Sequence, residues 1–293
     1  MSCDPLEPHP HVLSDRGGRV IAWHEFGELT EPVATVLYCH GTPGTGYEAL
    51  FFDEAASQLG IRVIALDRPG LGASDPVDER TVSTWAEQDV AAVVEHLDLE
   101  QFSVMGFSGG GPHAMAVAAT YPQKVSQLVL LAPFTHHPLW ESRLGVDLTA
   151  TRVLLSHLFL SWLPKPLIDR AAGTGAAQSN RRQLGKALTR NVQGHTGAYR
   201  MAVAHDYALQ FDISGGVQDE HAIYADWGFS ETQIKVPVHV WVPEKDLAIR
   251  PARARNLGLR LGAELHELPE DGHLSLLINQ AAAVLKPLVA KGP

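Results

Sequence analysis

Apolar residues arrive in two rhythms along this chain. Short, largely apolar runs at 34–39, 62–66, 102–105, 125–131 and 236–242 have the length of strands buried on both faces. Residues 19–26 add an earlier strand and 264–268 a last short one. Between them the apolar positions recur with helical spacing, at 47–59, 84–97, 113–119, about 251–261 and 274–289. The clearest of these is 84–97, with Ala86, Val90, Val93, Val94 and Leu97 on one face and Thr84 and Glu87 set as a capping box. Strands alternating with helices predict an α/β fold: a mainly parallel central sheet, right-handed crossovers and helices on both faces.

That rhythm stops between 134 and 228. Strand signals vanish there, and helical segments alternate with breakers such as Pro164, Pro166, Gly173 and Gly175. The expected organisation is a core formed by 1–133 and 229–293, with 134–228 inserted as a helical cap. Residues 154–163 are apolar almost all round, which reads as a cap helix roofing a pocket rather than a membrane-surface helix. Trp140, Phe159, Trp162 and the leucines give more apolar surface than a thin helical layer buries in itself, so part of it is expected to face that pocket. His136 and His137 read as exposed loop residues past a strand end.

Composition narrows the classes of function. The 293 residues, 45% hydrophobic and 19% charged, suit one large domain with an insertion. A formal charge of -10 without a Lys/Arg cluster disfavours nucleic acid; Arg181, Arg182, Lys186 and Arg190 read as a solvated helix face. The two cysteines, Cys3 in a tail and Cys39 inside an apolar strand, make no disulfide framework. Residues 1–11 carry proline and acid but no apolar signal region, and no run reaches membrane-spanning length, so a cytoplasmic location and no stable membrane insertion are expected.

The chemistry centres on Gly106-Phe107-Ser108-Gly109-Gly110, which lies between an apolar strand and a small-residue helix. A serine lifted off a sheet on a tight turn needs neighbours without Cβ, and glycine stands on both sides of it. The following helix start directs backbone amides toward a forming oxyanion. A serine hydroxyl needs a base to take its proton, and that base needs a carboxylate to fix its tautomer. His273 follows the strand at 264–268 and Asp246 follows the strand at 236–242, so both fall on the sheet edge of Ser108. Glu244 is a rival acid two residues away. Two backbone donors are then needed, one at Gly109 and one in the loop His40-Gly41-Thr42-Pro43-Gly44, with Thr42 the candidate. The His40 ring reads as a structural hydrogen-bonding partner for that loop. No residue set calls for a metal or cofactor.

These segments, with Asp67-Arg68-Pro69-Gly70-Leu71-Gly72-Ala73-Ser74 and Asp271-Gly272-His273, resemble the α/β-hydrolase superfamily of serine hydrolases with a helical cap. The resemblance implies nucleophile Ser108, base His273, acid Asp246, oxyanion amides at Thr42 and Gly109, and a cap that sets specificity for a small-molecule substrate. Haloalkane dehalogenases and epoxide hydrolases of this scaffold carry aspartate where Ser108 stands. Proline iminopeptidases are similar at 40–44 but carry tryptophan beside the nucleophile, where Phe107 and Gly109 stand. The expected reaction is therefore hydrolysis of a largely uncharged ester or lactone through an acyl-enzyme. The alternatives are amide hydrolysis of the iminopeptidase kind, a lyase, and a ligand-binding receptor that retains the triad without turnover.

Overall fold

The structure is a computed structural model and describes residues 9–42, 44–136 and 213–289. Eight strands form one sheet: β1 His11–Ser14, β2 Val20–Gly27, β3 Ala34–Cys39, β4 Ile61–Leu66, β5 Phe102–Phe107, β6 Val125–Leu131, β7 Val238–Pro243 and β8 Glu264–Leu268. Their spatial order is β1-β2-β4-β3-β5-β6-β7-β8. The β1–β2 and β2–β4 pairs are antiparallel, and every pair from β4 to β8 is parallel. A mainly parallel sheet with helices on both faces is the fold class predicted from the alternation.

Period-two side-chain direction divides the core between the two faces. Leu37, Cys39, Ile64, Leu66, Val104 and Val240 belong to one cluster, and Val36, Tyr38, Val63, Ala65, Met105 and Trp241 to the other. Among the described helices are α1 Asp53–Leu59, α2 Val82–Trp85, α3 Ala91–His96, α4 Gly110–Thr120, α5 Ile213–Tyr224, α6 Pro251–Leu261, α7 Ser275–Asn279 and α8 Ala281–Val289. Helices α2, α3, α4 and α6 cover the first face, and α1 with α7 and α8 the second.

Several elements differ from the sequence expectation for physical reasons. The helix expected at 84–97 begins at Val82, because Thr81 is its cap: the Thr81 hydroxyl accepts from the Thr84 amide at 3.1 Å while Thr84 Oγ1 accepts from the Thr81 amide at 2.8 Å. A π-helical turn at Ala86–Val90 interrupts it and carries buried Asp89, which accepts from Arg19 at 2.7 Å. The segment 47–59 starts as a 3₁₀ helix, Gly46–Phe52, before α1. The closing helix breaks at Gln280, where Asn279 and Gln280 both donate at 2.8 Å to the Asp271 carboxylate. Strand β1 lies at the end of a stretch read as a tail.

Of the insertion expected at 134–228, only its two ends are described. The described ends include α5, which follows the helical expectation. Trp140, Phe159, Trp162, His137 and the basic residues at 181–190 lie outside the described residues.

Candidate active site

Parallel strands point their C-terminal ends the same way, so the loops after β3, β4, β5, β7 and β8 share one sheet edge. The sharpest of these turns follows β5. Ser108 has φ 51°, in the left-handed region that costs a residue with Cβ about 1–3 kcal/mol and persists only where the surroundings impose it. The constraint is visible in the backbone: the Ser108 amide donates to Leu131 O at 2.9 Å, and its carbonyl accepts from Gly111 and Phe134 amides at 2.9 and 2.8 Å. The flanking glycines allow this close approach. A Cβ on Gly106 would lie 2.4 Å from Gly110 O, and one on Gly110 would lie 2.0 Å from Cys39 O. The two glycines of Gly-x-Ser-x-Gly thus stand where a side chain would collide with the neighbouring backbone.

Ser108 Oγ lies 2.9 Å from His273 Nε2, and His273 Nδ1 lies 2.7 Å from Asp246 Oδ2. Asp246 Oδ1 accepts from the Ala248 and Ile249 amides at 2.7 and 2.8 Å, which leaves Oδ2 facing the imidazole. The acid side chain is 1% exposed and the imidazole 17%. The rival carboxylate, Glu244, instead pairs with Arg255. Phe107 packs its ring against His273, with centroids 4.7 Å apart. The turn that presents His273 is fixed beneath by buried Asp271, which accepts from Ser275 Oγ at 3.1 Å as well as from Asn279 and Gln280. A hydroxyl, an imidazole and a buried carboxylate in this series can move a proton from oxygen to nitrogen and stabilise the imidazolium that results.

The Thr42 amide lies beside Gly109: a Cβ on Gly109 would be 3.3 Å from Thr42 N and 2.3 Å from Thr42 Oγ1. The carbonyls just before Thr42 point into a buried polar network. Arg68, fully buried, donates to His40 O at 2.6 Å and to Gly41 O at 2.9 Å, while the Gly41 amide donates to Glu48 at 2.8 Å. His40 is a structural partner of this loop, with Nδ1 2.8 Å from Gly41 O and Nε2 accepting from the Arg68 amide at 3.4 Å. Burial and the Arg68 charge hold its ring well below the usual imidazole range, so it is neutral and only weakly basic, and both its nitrogens are engaged within the loop.

Asp219, on α5, completes the network. Its oxygens accept from Arg68 Nε and Nη2, both at 2.6 Å, from Thr42 Oγ1 at 2.5 Å, and from Arg80. Burial pushes this carboxyl up, but the Arg68 and Arg80 guanidiniums outweigh it and hold the group well below the usual carboxylate range. His113 links the same network to the turn after Ser108: Nδ1 donates to Gly109 O at 3.0 Å, and burial keeps the ring neutral. Sequence reasoning missed Asp219 and Arg80. The sequence marks Arg68 only as part of the Asp67–Ser74 motif. Cys39, buried in β3, is inert, since burial pushes its thiol up to about 12.

The model of the alpha/beta hydrolase fold family matches residues 34–280. A 2-hydroxy-6-oxononadienedioate/2-hydroxy-6-oxononatrienedioate hydrolase from Pseudomonas putida is 36% identical over 119 residues, 38% of this chain and 39% of that protein. A proline iminopeptidase from Lactobacillus delbrueckii subsp. lactis is 30% identical over 171 residues, 55% of this chain and 53% of that one. The chain thus spans about half or less of the length of these curated relatives. An esterase from Exiguobacterium antarcticum superposes with a TM-score of 0.68 at 18% identity, covering 96% of this chain and 99% of that one. Among the described residues no helix is long and apolar enough to cross a membrane.

Proposed function

The chain belongs to the alpha/beta hydrolase fold family, and on that premise we propose that it is a serine hydrolase that cleaves a small to medium, largely uncharged ester or lactone. In this reading His273 Nε2 takes the Ser108 proton as Oγ attacks the substrate carbonyl carbon, and the carbonyl π electrons pass to oxygen. The amides of Thr42 and Gly109 donate to that oxyanion. Collapse expels the alkoxide, which takes the proton from His273 and leaves an acyl-Ser108 ester. Water, deprotonated by the same imidazole, then attacks the acyl carbon and releases the acid, restoring Ser108. Asp246 orients the ring through Nδ1 and stabilises its cation, with no proton passing to the acid.

The observation that carries the reading is a strained serine, φ 51°, within 2.9 Å of an imidazole that is itself 2.7 Å from a buried carboxylate. Residues 134–228 form the cap in this reading, and Phe159 and Trp162 within it select the acyl group. The likeness to a proline iminopeptidase supports a second reading, amide hydrolysis. A panel of chromogenic esters, lactones and amino-terminal proline amides separates the two. The proposal expects ester or lactone turnover to exceed amide turnover, and the reverse ranking would replace it with the iminopeptidase reading.

A further inference from the structure

A second group of side chains lies away from Ser108, at the opposite end of β7 and β8. His239 is the second residue of β7 and pairs in register with Glu264, the first residue of β8; Trp241 pairs with His266. Because side chains two apart on a strand share a face, His239, Trp241, Glu264 and His266 all project from one side of the sheet edge. His239 Nδ1 lies 3.1 Å from His266 Nε2. Glu264 reaches both rings, with Oε2 3.5 Å from His239 Nδ1 and Oε1 3.8 Å from His266 Nε2. The three ligand atoms lie within 4.8 Å of one another.

We propose that His239, Glu264 and His266 bind a divalent transition-metal ion of the zinc type. Two imidazole nitrogens, each about 2.0–2.1 Å from a tetrahedral zinc ion, stand roughly 3.3–3.4 Å apart. The separation of His239 Nδ1 and His266 Nε2 is already within a few tenths of an ångström of that value. The ring of His266 is held flat against Trp241, with centroids 4.3 Å apart and planes 13° from parallel, so little ordering remains to be done on binding. The two histidines are partly shielded, at 15% and 22% exposed, while Glu264 at 67% leaves the site open to water as a fourth ligand. Two nitrogen donors favour zinc, nickel or copper over magnesium or calcium, which prefer an all-oxygen shell. β8 is an edge strand, and the ion would pin it to β7. These two strands lead directly into the loops of Asp246 and His273, so the ion would brace the elements that carry them. Neither the ligand set nor this bracing depends on the role assigned to Ser108.

The test uses the full chain, freed of metal by dialysis against chelator, and Zn²⁺ alone as the probe. Equilibrium dialysis is expected to give one equivalent of Zn²⁺ per chain, and thermal melting a Tm that rises with Zn²⁺ but not with Mg²⁺. His266→Gln should weaken that equivalent by more than the roughly 10–100-fold typical of losing an outer-shell partner, and Glu264→Gln by at least about tenfold. Glu264 is exposed, so its variant keeps the test valid if His266→Gln folds poorly. Co²⁺ substituted for Zn²⁺ should show visible absorption bands that the variants lose. No uptake by the wild-type chain at a hundredfold excess of Zn²⁺, or uptake that both variants retain undiminished, would overturn the proposal. The first outcome would leave only a proton shared between two cross-strand imidazoles, and the second would locate the ion at other histidines.

Discussion

Asp219→Asn keeps the shape of the side chain and removes the one charge that two buried guanidiniums share. In the wild type, Arg68 meets this carboxylate through two hydrogen bonds of 2.6 Å, with both side chains fully buried, and Arg80 meets it through Oδ1. Removing one partner of such a buried set leaves uncompensated charge and costs about 3–5 kcal/mol. That is a large part of a total stability of roughly 5–15 kcal/mol, and for a chain of this size it should lower Tm by roughly 5–10 °C. A kinetic effect should accompany it. Arg68 holds the carbonyls of His40 and Gly41, so a displaced guanidinium shifts the Thr42 amide, and kcat should fall by up to about a hundredfold with little change in KM. The pH dependence has a definite sign. A carboxyl with a depressed folded-state pKa contributes stability above its unfolded pKa, about 3.9, and that contribution is lost as pH falls toward the folded value. The gap in Tm between wild type and variant should therefore be full near neutrality and narrow only below about pH 4. Scanning calorimetry across pH, read beside Michaelis kinetics on a chromogenic ester, tests this. A variant that melts within a degree or two of wild type and keeps its kcat would refute the reasoning.

Asp246→Asn should reduce ester turnover on the order of 10³–10⁴-fold through loss of the correct imidazole tautomer. Glu244→Gln removes a partly exposed pair with Arg255, worth within about 1 kcal/mol, and should leave kcat unaltered; steady-state kinetics on both variants would expose a wrong assignment if only Glu244→Gln is impaired. Gly110→Ala would set a Cβ 2.0 Å from Cys39 O and 2.5 Å from His40 O, both backbone atoms that cannot yield without moving the Thr42 loop. It should cost about 1–3 kcal/mol by denaturant titration and depress turnover further than stability explains, and normal activity in that variant would count against the close strand-to-helix approach.

What could be read from the chain was whatever depends on residues close in sequence or on strand ends. Largely apolar runs such as 34–39 and 125–131 identify buried parallel strands, and strands that run parallel bring their following loops together. Ser108, Asp246 and His273 could thus be grouped from residues 165 and 27 positions apart without any contact map. The Asp219 network could not. Its partners lie 151 and 139 positions away, and an aspartate on a helix or an arginine in a polar loop normally faces water. Nothing local distinguishes Asp219 from Glu220 beside it. The break at Gln280 was hidden for a related reason, since the apolar pattern runs through it, and the side-chain bonds of Asn279 and Gln280 to the Asp271 carboxylate leave no mark on that pattern. The four residues of β1 are too few for periodicity to detect.

The central claim is that Ser108 is a working nucleophile. Its most direct test is a fluorophosphonate probe applied to wild type and Ser108→Ala, followed by intact mass and peptide mapping, with turnover of a chromogenic ester measured on the same samples. The account predicts one adduct per wild-type chain, located on Ser108, and turnover that the adduct abolishes. Ser108→Ala, with unchanged circular dichroism, should take up no probe and lose roughly 10⁴–10⁶-fold in kcat. Turnover that survives in the folded variant would contradict the claim, and labelling of Ser108 in a wild-type chain that turns over no ester, lactone or amide would make the protein a receptor on this fold instead.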